Sequence, residues 1–190
     1  PLADGGSPIT GYTVTASPGG QTVTVGGTAL TGTFTTLTNG TSYTFTVVAA
    51  NAVGDGPSSS ASNVVAPATV AGAPTNVSAT AGNTQATVTW SAPLADGGSP
   101  ITGYTVTASP SGQTASWSSG TLTVSVTSLT NGTAYTFTVV ATNAVGNGAT
   151  SSASTAVTPA TIPGAPTNVT AIAGNTQATV SWSAPVSTGG

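Results

Sequence analysis

The sequence predicts an all-β protein of tandem antiparallel β-sandwiches, one complete copy flanked by two partial ones. Three observations carry this. The chain repeats itself at an offset of 92 residues, Pro1 falling on Pro93, and Pro1–Pro18 recurs letter for letter at Pro93–Pro110. Apolar residues alternate with Thr and Ser at a period of two, the spacing of a strand with one face buried and one wet. Gly, Pro, Asn and Asp clusters close these runs every ~8–12 residues, and no stretch keeps helical spacing over a window of about 11. A repeat this long is one autonomous module rather than a solenoid turn of ~20–50 residues.

In the complete copy, Gln85–Trp90 sets Ala86, Val88 and Trp90 against Gln85, Thr87 and Thr89. Tyr104, Val106 and Ala108 alternate with Thr105 and Thr107. Leu122, Val124 and Val126 alternate with Thr123, Ser125 and Thr127, and Tyr135, Phe137 and Val139 with Thr136 and Thr138. Thr suits the wet face because it favours the pleat while its hydroxyl stays hydrated. Between the strands lie turn clusters at Ala81–Asn83, Ala95–Pro100, Thr130–Thr133 and Ala144–Gly148.

Composition excludes most chemistry. The 190 residues contain no Lys, Arg, His, Glu or Cys, and the only ionisable carboxyl side chains are Asp4, Asp55 and Asp96. General acid–base work at neutral pH needs His, a tuned carboxylate or a tuned Lys, and a nucleophilic Ser or Thr needs a neighbouring base. A glycosidase needs two carboxyls ~5–10 Å apart, whereas Asp4 and Asp96 occupy equivalent places in successive modules. Asp55 meets Asn147 at its repeat position. No catalytic, cofactor-binding or metal-binding residue is therefore assigned, and no cofactor. Without Lys or Arg to neutralise phosphates, nucleic acid is excluded as a partner. No apolar run reaches the ~20 residues of a membrane span. The absence of Cys leaves the redox compartment open.

The residues then resemble a fibronectin type III domain of the bacterial tandem type. The match rests on a Pro-rich lead-in (Gly72-Ala73-Pro74), a B-strand Trp followed by Pro (Trp90, Pro93), and a C-strand Tyr (Tyr104). It continues with Leu129 six residues before the F-strand Tyr135, which heads the Y-x-F-x-V-x-A-x-N run to Asn143. Leu37 and Tyr43 repeat that pair in the first copy. The resemblance implies an Ig-like sandwich whose F-strand Tyr bonds backbone near the E–F turn. It implies structural core positions at Trp90, Tyr104, Leu129 and Tyr135 and at the repeat partners Tyr12, Leu37, Tyr43 and Trp182. It also implies an extracellular, secreted or cell-surface address.

The boundaries predicted are a partial module at 1–68 (strands C to G), a complete one at 69–160, and a partial one at 161–190 (strands A and B). The linkers at Pro67–Pro74 and Pro159–Pro166 are short and Pro-rich, hence stiff. Neither partial module is expected to fold alone, because each exposes half a core and an unpaired edge. Two explanations stay open. The segment is a window on a longer covalent array, or Gly164–Pro185 of one copy completes Pro1–Pro67 of the next by strand exchange.

Asn39, Asn76, Asn131 and Asn168 begin N-x-S/T sequons and are candidate glycan attachment sites. For Asn39 and Asn131, in an L-T-N-G-T turn, the backbone need for Asn-Gly is the competing reading. Trp117, whose repeat partner is Val25, is either a ligand-stacking platform or the cover of a sheet edge. Gly32 opposite Val124 and Phe34 opposite Val126 read as compensating core volumes. The integrin motif of animal relatives cannot be carried to Asp55, since the chain has no Arg, nor can Lys–Asn isopeptide links.

The function expected is a non-catalytic structural repeat of a long bacterial surface protein, acting as stalk, fibre or filament. Its partners would be neighbouring modules of the same chain and other copies of itself, end to end or laterally, since a nearly uncharged surface repels little. The alternatives are a spacer or carbohydrate-binding accessory module of a secreted polysaccharide-degrading enzyme, and an adhesin or phage-tail shaft.

Overall fold

The structure is a computed structural model that describes residues 4–190; Pro1–Ala3, which head the first repeat and the first predicted module, lie outside the described residues. Twelve strands and no helix occur among the described residues, so none is long and apolar enough to cross a membrane. The all-β expectation is met. The chain divides into two compact units, Pro1–Thr69 with Gly97–Ser99, and Val70–Asp96 with Pro100–Gly190.

The second unit contains the complete sandwich. One sheet has the order β4-β5-β8, formed by β4 (Thr75–Gly82), β5 (Gln85–Ser91) and β8 (Thr123–Val126). The other has the order β10-β9-β6-β7, from β6 (Ile101–Ser109), β7 (Thr114–Trp117), β9 (Thr136–Asn143) and β10 (Asn147–Thr150). Every pairing is antiparallel. Period-two burial follows the sequence: Ala86, Val88 and Trp90 from one sheet meet Tyr104, Val106, Phe137 and Val139 from the other. The Trp90 ring lies 5.4 Å from that of Tyr104, which in turn meets Trp117 edge-on at 5.1 Å. Such tilted aromatic contacts add to what area burial alone supplies.

The same unit carries the hairpin β11 (Thr167–Gly174) and β12 (Gln177–Ser183), which forms a two-stranded sheet of its own. Here an expectation fails. Trp182 was placed in a core, yet it is 62% exposed, against 6% for Trp90. The local sequence is the same; what differs is that no sheet faces β12 among the described residues.

The first unit is a single sheet of order β2-β1-β3, from β1 (Ile9–Ser17), β2 (Thr22–Gly26) and β3 (Thr44–Asn51). Strands C to G were expected. Thr31–Phe34, the counterpart of β8, belongs to no ladder, because β8 is held by β5 and unit 1 has no strand in that place. Tyr12, Leu37, Val14 and Val47 are accordingly only half-buried, while Tyr43 stays buried. Phe34 still reaches the sheet, its ring 5.0 Å from that of Phe45.

The final segment of each module is not a regular strand. Val157 pairs with Tyr135, and Ser154 and Ser151 bond to Phe137 and Val139, so three residues on one side span two on the other. The extra residue rotates a carbonyl out of reach, and a hydroxyl takes its place. Ser154 Oγ accepts from Phe137 N–H at 3.1 Å and Ser151 Oγ from Val139 N–H at 2.9 Å, each donating onward to the next carbonyl. Unit 1 repeats this with Ser62 on Phe45 and Ser59 on Val47. Ser154→Ala should therefore strand a buried amide and cost about 1–3 kcal/mol. Urea unfolding of the complete sandwich checks it; an unchanged midpoint would show the hydroxyl to be dispensable.

Candidate functional site

The tyrosine expected at the E–F corner is where the resemblance put it. The Tyr135 hydroxyl oxygen accepts a hydrogen bond from Thr130 N–H at 3.1 Å, and Tyr43 does the same with Thr38 N–H. That bond favours the phenolate and holds both phenols below the ordinary tyrosine value, against the opposing pull of burial. Tyr104 has no such donor, and burial pushes its phenol up.

The sign for stability follows. An unfolded Tyr ionises near ~10, whereas Tyr104 resists ionisation in the fold. Its contribution is present below that pH and is lost as pH rises through the raised value. Tyr135 acts in the opposite sense. The expected outcome is a phenolate absorbance titration in which Tyr104→Phe removes the latest-ionising component and Tyr135→Phe an earlier one. The reverse order would refute the assignment.

The loops at one end of each module are clipped by an asparagine. Asn143 is buried; its Nδ2 donates to Asp96 C=O at 2.8 Å, and its Oδ1 accepts from Val145 and Gly146 N–H at 3.0 and 3.2 Å. Asn51 makes the equivalent bonds to Asp4 C=O, Val53 and Gly54. In unit 1 this end forms a cleft of about 450 Å³ lined by Asp4, Ile9, Asn51, Val53, Asp55 and Pro57. Two aspartates, Asp4 and Asp55, are among its lining residues. The Asp4 carboxylate accepts from Gly6 N–H. Among the described residues no three His, Cys, Asp or Glu side chains gather.

The sequon asparagines are tied into the fold. Asn131 Oδ1 accepts from Thr84 N–H, and its Nδ2 donates to Asn83 Oδ1, both at 2.9 Å, locking the turn to the β4–β5 hairpin. Asn76 and Asn168 sit at φ 53° on bulged strands, and their Nδ2 atoms donate to Ser91 and Ser183 Oγ. Asn39 occupies a turn packed against Gly98, where a Cβ would overlap Gly40 N. These placements supply structural reasons for Asn76, Asn131 and Asn168.

Trp117 lies on edge strand β7, paired with Tyr104, half-buried, with its indole N–H donating to Thr121 C=O at 2.8 Å. Sequence reasoning missed β7 as a strand, although Val23 and Val25 alternate in its first-copy counterpart β2. It also missed the serine ladder, whose signal is Ser-x-x-Ser-x-x-Val at Ser59 and again at Ser151.

A family model for the fibronectin type III domain matches residues 1–65 and 72–158. Endoglucanase B of Cellulomonas fimi is 38% identical over 167 residues, covering 82% of this chain and 16% of that protein. Chitinase A1 of Niallia circulans is 39% identical over 149 residues, covering 73% of this chain and 20% of that protein. The chain thus spans a fifth or less of these relatives. Among solved structures, domains A168–A170 of titin superpose with a TM-score of 0.50 at 20% identity, over 78% of this chain and 54% of that one. That likeness concerns fold alone.

Proposed function

The chain belongs to the fibronectin type III family, and from that premise we propose that it is a non-catalytic structural segment, a stalk or spacer, of an extracellular bacterial protein. The observation that carries this reading is a 92-residue module repeated without any Lys, Arg, His, Glu or Cys. Such a surface of hydroxyls and amides keeps a polymer hydrated but offers no acid–base pair for turnover.

The two relatives favour a particular setting, beside the catalytic domain of a polysaccharide-degrading enzyme. Both are named for hydrolysis of a polysaccharide, and their shared part with this chain is small. The test is cosedimentation with insoluble cellulose and chitin, together with assay for released sugar. The chain should stay in the supernatant and release none. Binding that is lost in Trp117→Ala would replace the spacer reading with a carbohydrate-binding one. Sugar release would overturn both.

A further inference from the structure

We infer that the Asn-Gly turn of a module is a docking surface for the Gly-Gly loop of the module that follows, the two closing over the linker as a latch of main-chain groups. This surface does not depend on the spacer reading. It occurs twice, each time within one compact unit. In unit 2 the turn Asn131-Gly132 lies ahead of β9, and the loop Ser187–Gly190 follows β12. In unit 1 the turn is Asn39-Gly40, and Gly97–Ser99, which follow β5 in sequence, belong to the unit of that turn.

The linker is held from both sides. Gly132 N–H donates to Pro159 C=O at 2.9 Å, Thr161 N–H to Gly189 C=O at 2.7 Å and Gly164 N–H to Ser187 C=O at 2.9 Å. The 92-residue offset returns every one of these bonds: Gly40 N–H to Pro67, Thr69 to Gly97 and Gly72 to Ala95, all at 2.9 Å. Ser187 and Thr188 replace Ala95 and Asp96 without disturbing the pattern, because only main-chain atoms take part. The same bonds at equivalent places in two linkers mark a built contact.

The fit requires glycine. A Cβ on Gly98 would overlap Gly40 N and stand 2.6 Å from the Asn39 carbonyl carbon, and one on Gly190 would stand 2.7 Å from Gly132 N. Only a residue without a side chain lets two backbones approach this closely. The loop is shaped within its own module: φ is 80° and 82° at Gly97 and Gly98, and 71° and 83° at Gly5 and Gly6. In both loops the preceding Asp carbonyl is the one clipped by Asn143 or Asn51. The turn is fixed too, since Asn131 bonds to Thr84 and Asn83. Surfaces formed before they meet lose little conformational entropy on docking. None of the linker bonds involves a charged group, so screening by salt should leave them intact.

The experiment is native-state amide hydrogen exchange of the whole 190-residue chain, read residue by residue by NMR at low and high salt. Thr69 and Thr161 N–H should be protected, and equally so at both salt concentrations. Gly98→Ala should speed exchange at Thr69 and Gly40 roughly tenfold and leave Thr161 unchanged. Gly6→Ala is the matched control, because it sets the same side chain at nearly the same φ where a Cβ would meet nothing within 4 Å. Thr69 should keep its protection in that variant. Val106 N–H reports the complete core, so Thr69 accelerating more than Val106 marks an opened latch rather than an unfolded sandwich. Four results would overturn the proposal: Thr69 unprotected in the wild type, Thr69 unchanged in Gly98→Ala, equal acceleration at Thr69 and Val106, or the same loss at Thr69 in Gly6→Ala.

Discussion

Trp90→Ala should destabilise the complete sandwich by about 3–5 kcal/mol, while Trp182→Ala should leave its unfolding midpoint where it was. The two residues sit in nearly identical heptapeptides, so local propensity cannot separate them. Context can. Trp90 is 6% exposed and packs on Tyr104, which in turn holds Trp117. Truncating it leaves a void in the buried cluster that also holds Val88, Val106 and Val139. A domain of this size holds roughly 5–13 kcal/mol in total, so the loss consumes much of its margin. Urea denaturation followed through Trp117 emission measures it. Equal effects at both positions would mean that Trp182 also has a packed environment within its own chain.

Asn143→Leu should cost about 1–3 kcal/mol, more than a typical loop substitution, because it strands the Val145 backbone donor. Val145 N–H loses its acceptor and Asp96 C=O loses the Asn143 side-chain donor, while Gly146 N–H keeps the Asn143 backbone carbonyl at 3.2 Å. Asn143→Asp offers a control, since it keeps the acceptor and loses the donor. Differential urea unfolding of the three proteins should rank wild type, Asp and Leu in that order. Leu unfolding no earlier than wild type would refute the clip.

The strands were legible wherever alternation survived. β5, β6, β8 and β9 follow from Val, Trp, Tyr and Phe spaced against Thr, since burial of one face is written directly in that period. β7 was not, because its Thr-Ala-Ser-Trp carries a small residue where Val23 stands in the other copy. The Asn143 side chain was visible as the end of a motif, but its three bonds depend on loops brought together by folding, which spacing along the chain does not encode. Trp182 shows the opposite limit. Its inward phase is correct, yet phase says which face a residue takes and not whether anything lies opposite.

Short runs of hydroxyl residues such as Ser151–Ser154 look like filler, but their geometry shapes the border of the sheet. Proteins usually guard a sheet border with lysine, and this one has none. Here the bordering run bonds inward to β9 in a three-for-two rhythm, Ser154 and Ser151 Oγ accepting from Phe137 and Val139 N–H, and such a bulged run offers an incoming strand no straight register to copy. A strand approaching that border meets an interrupted ladder where a charged side chain would otherwise stand guard.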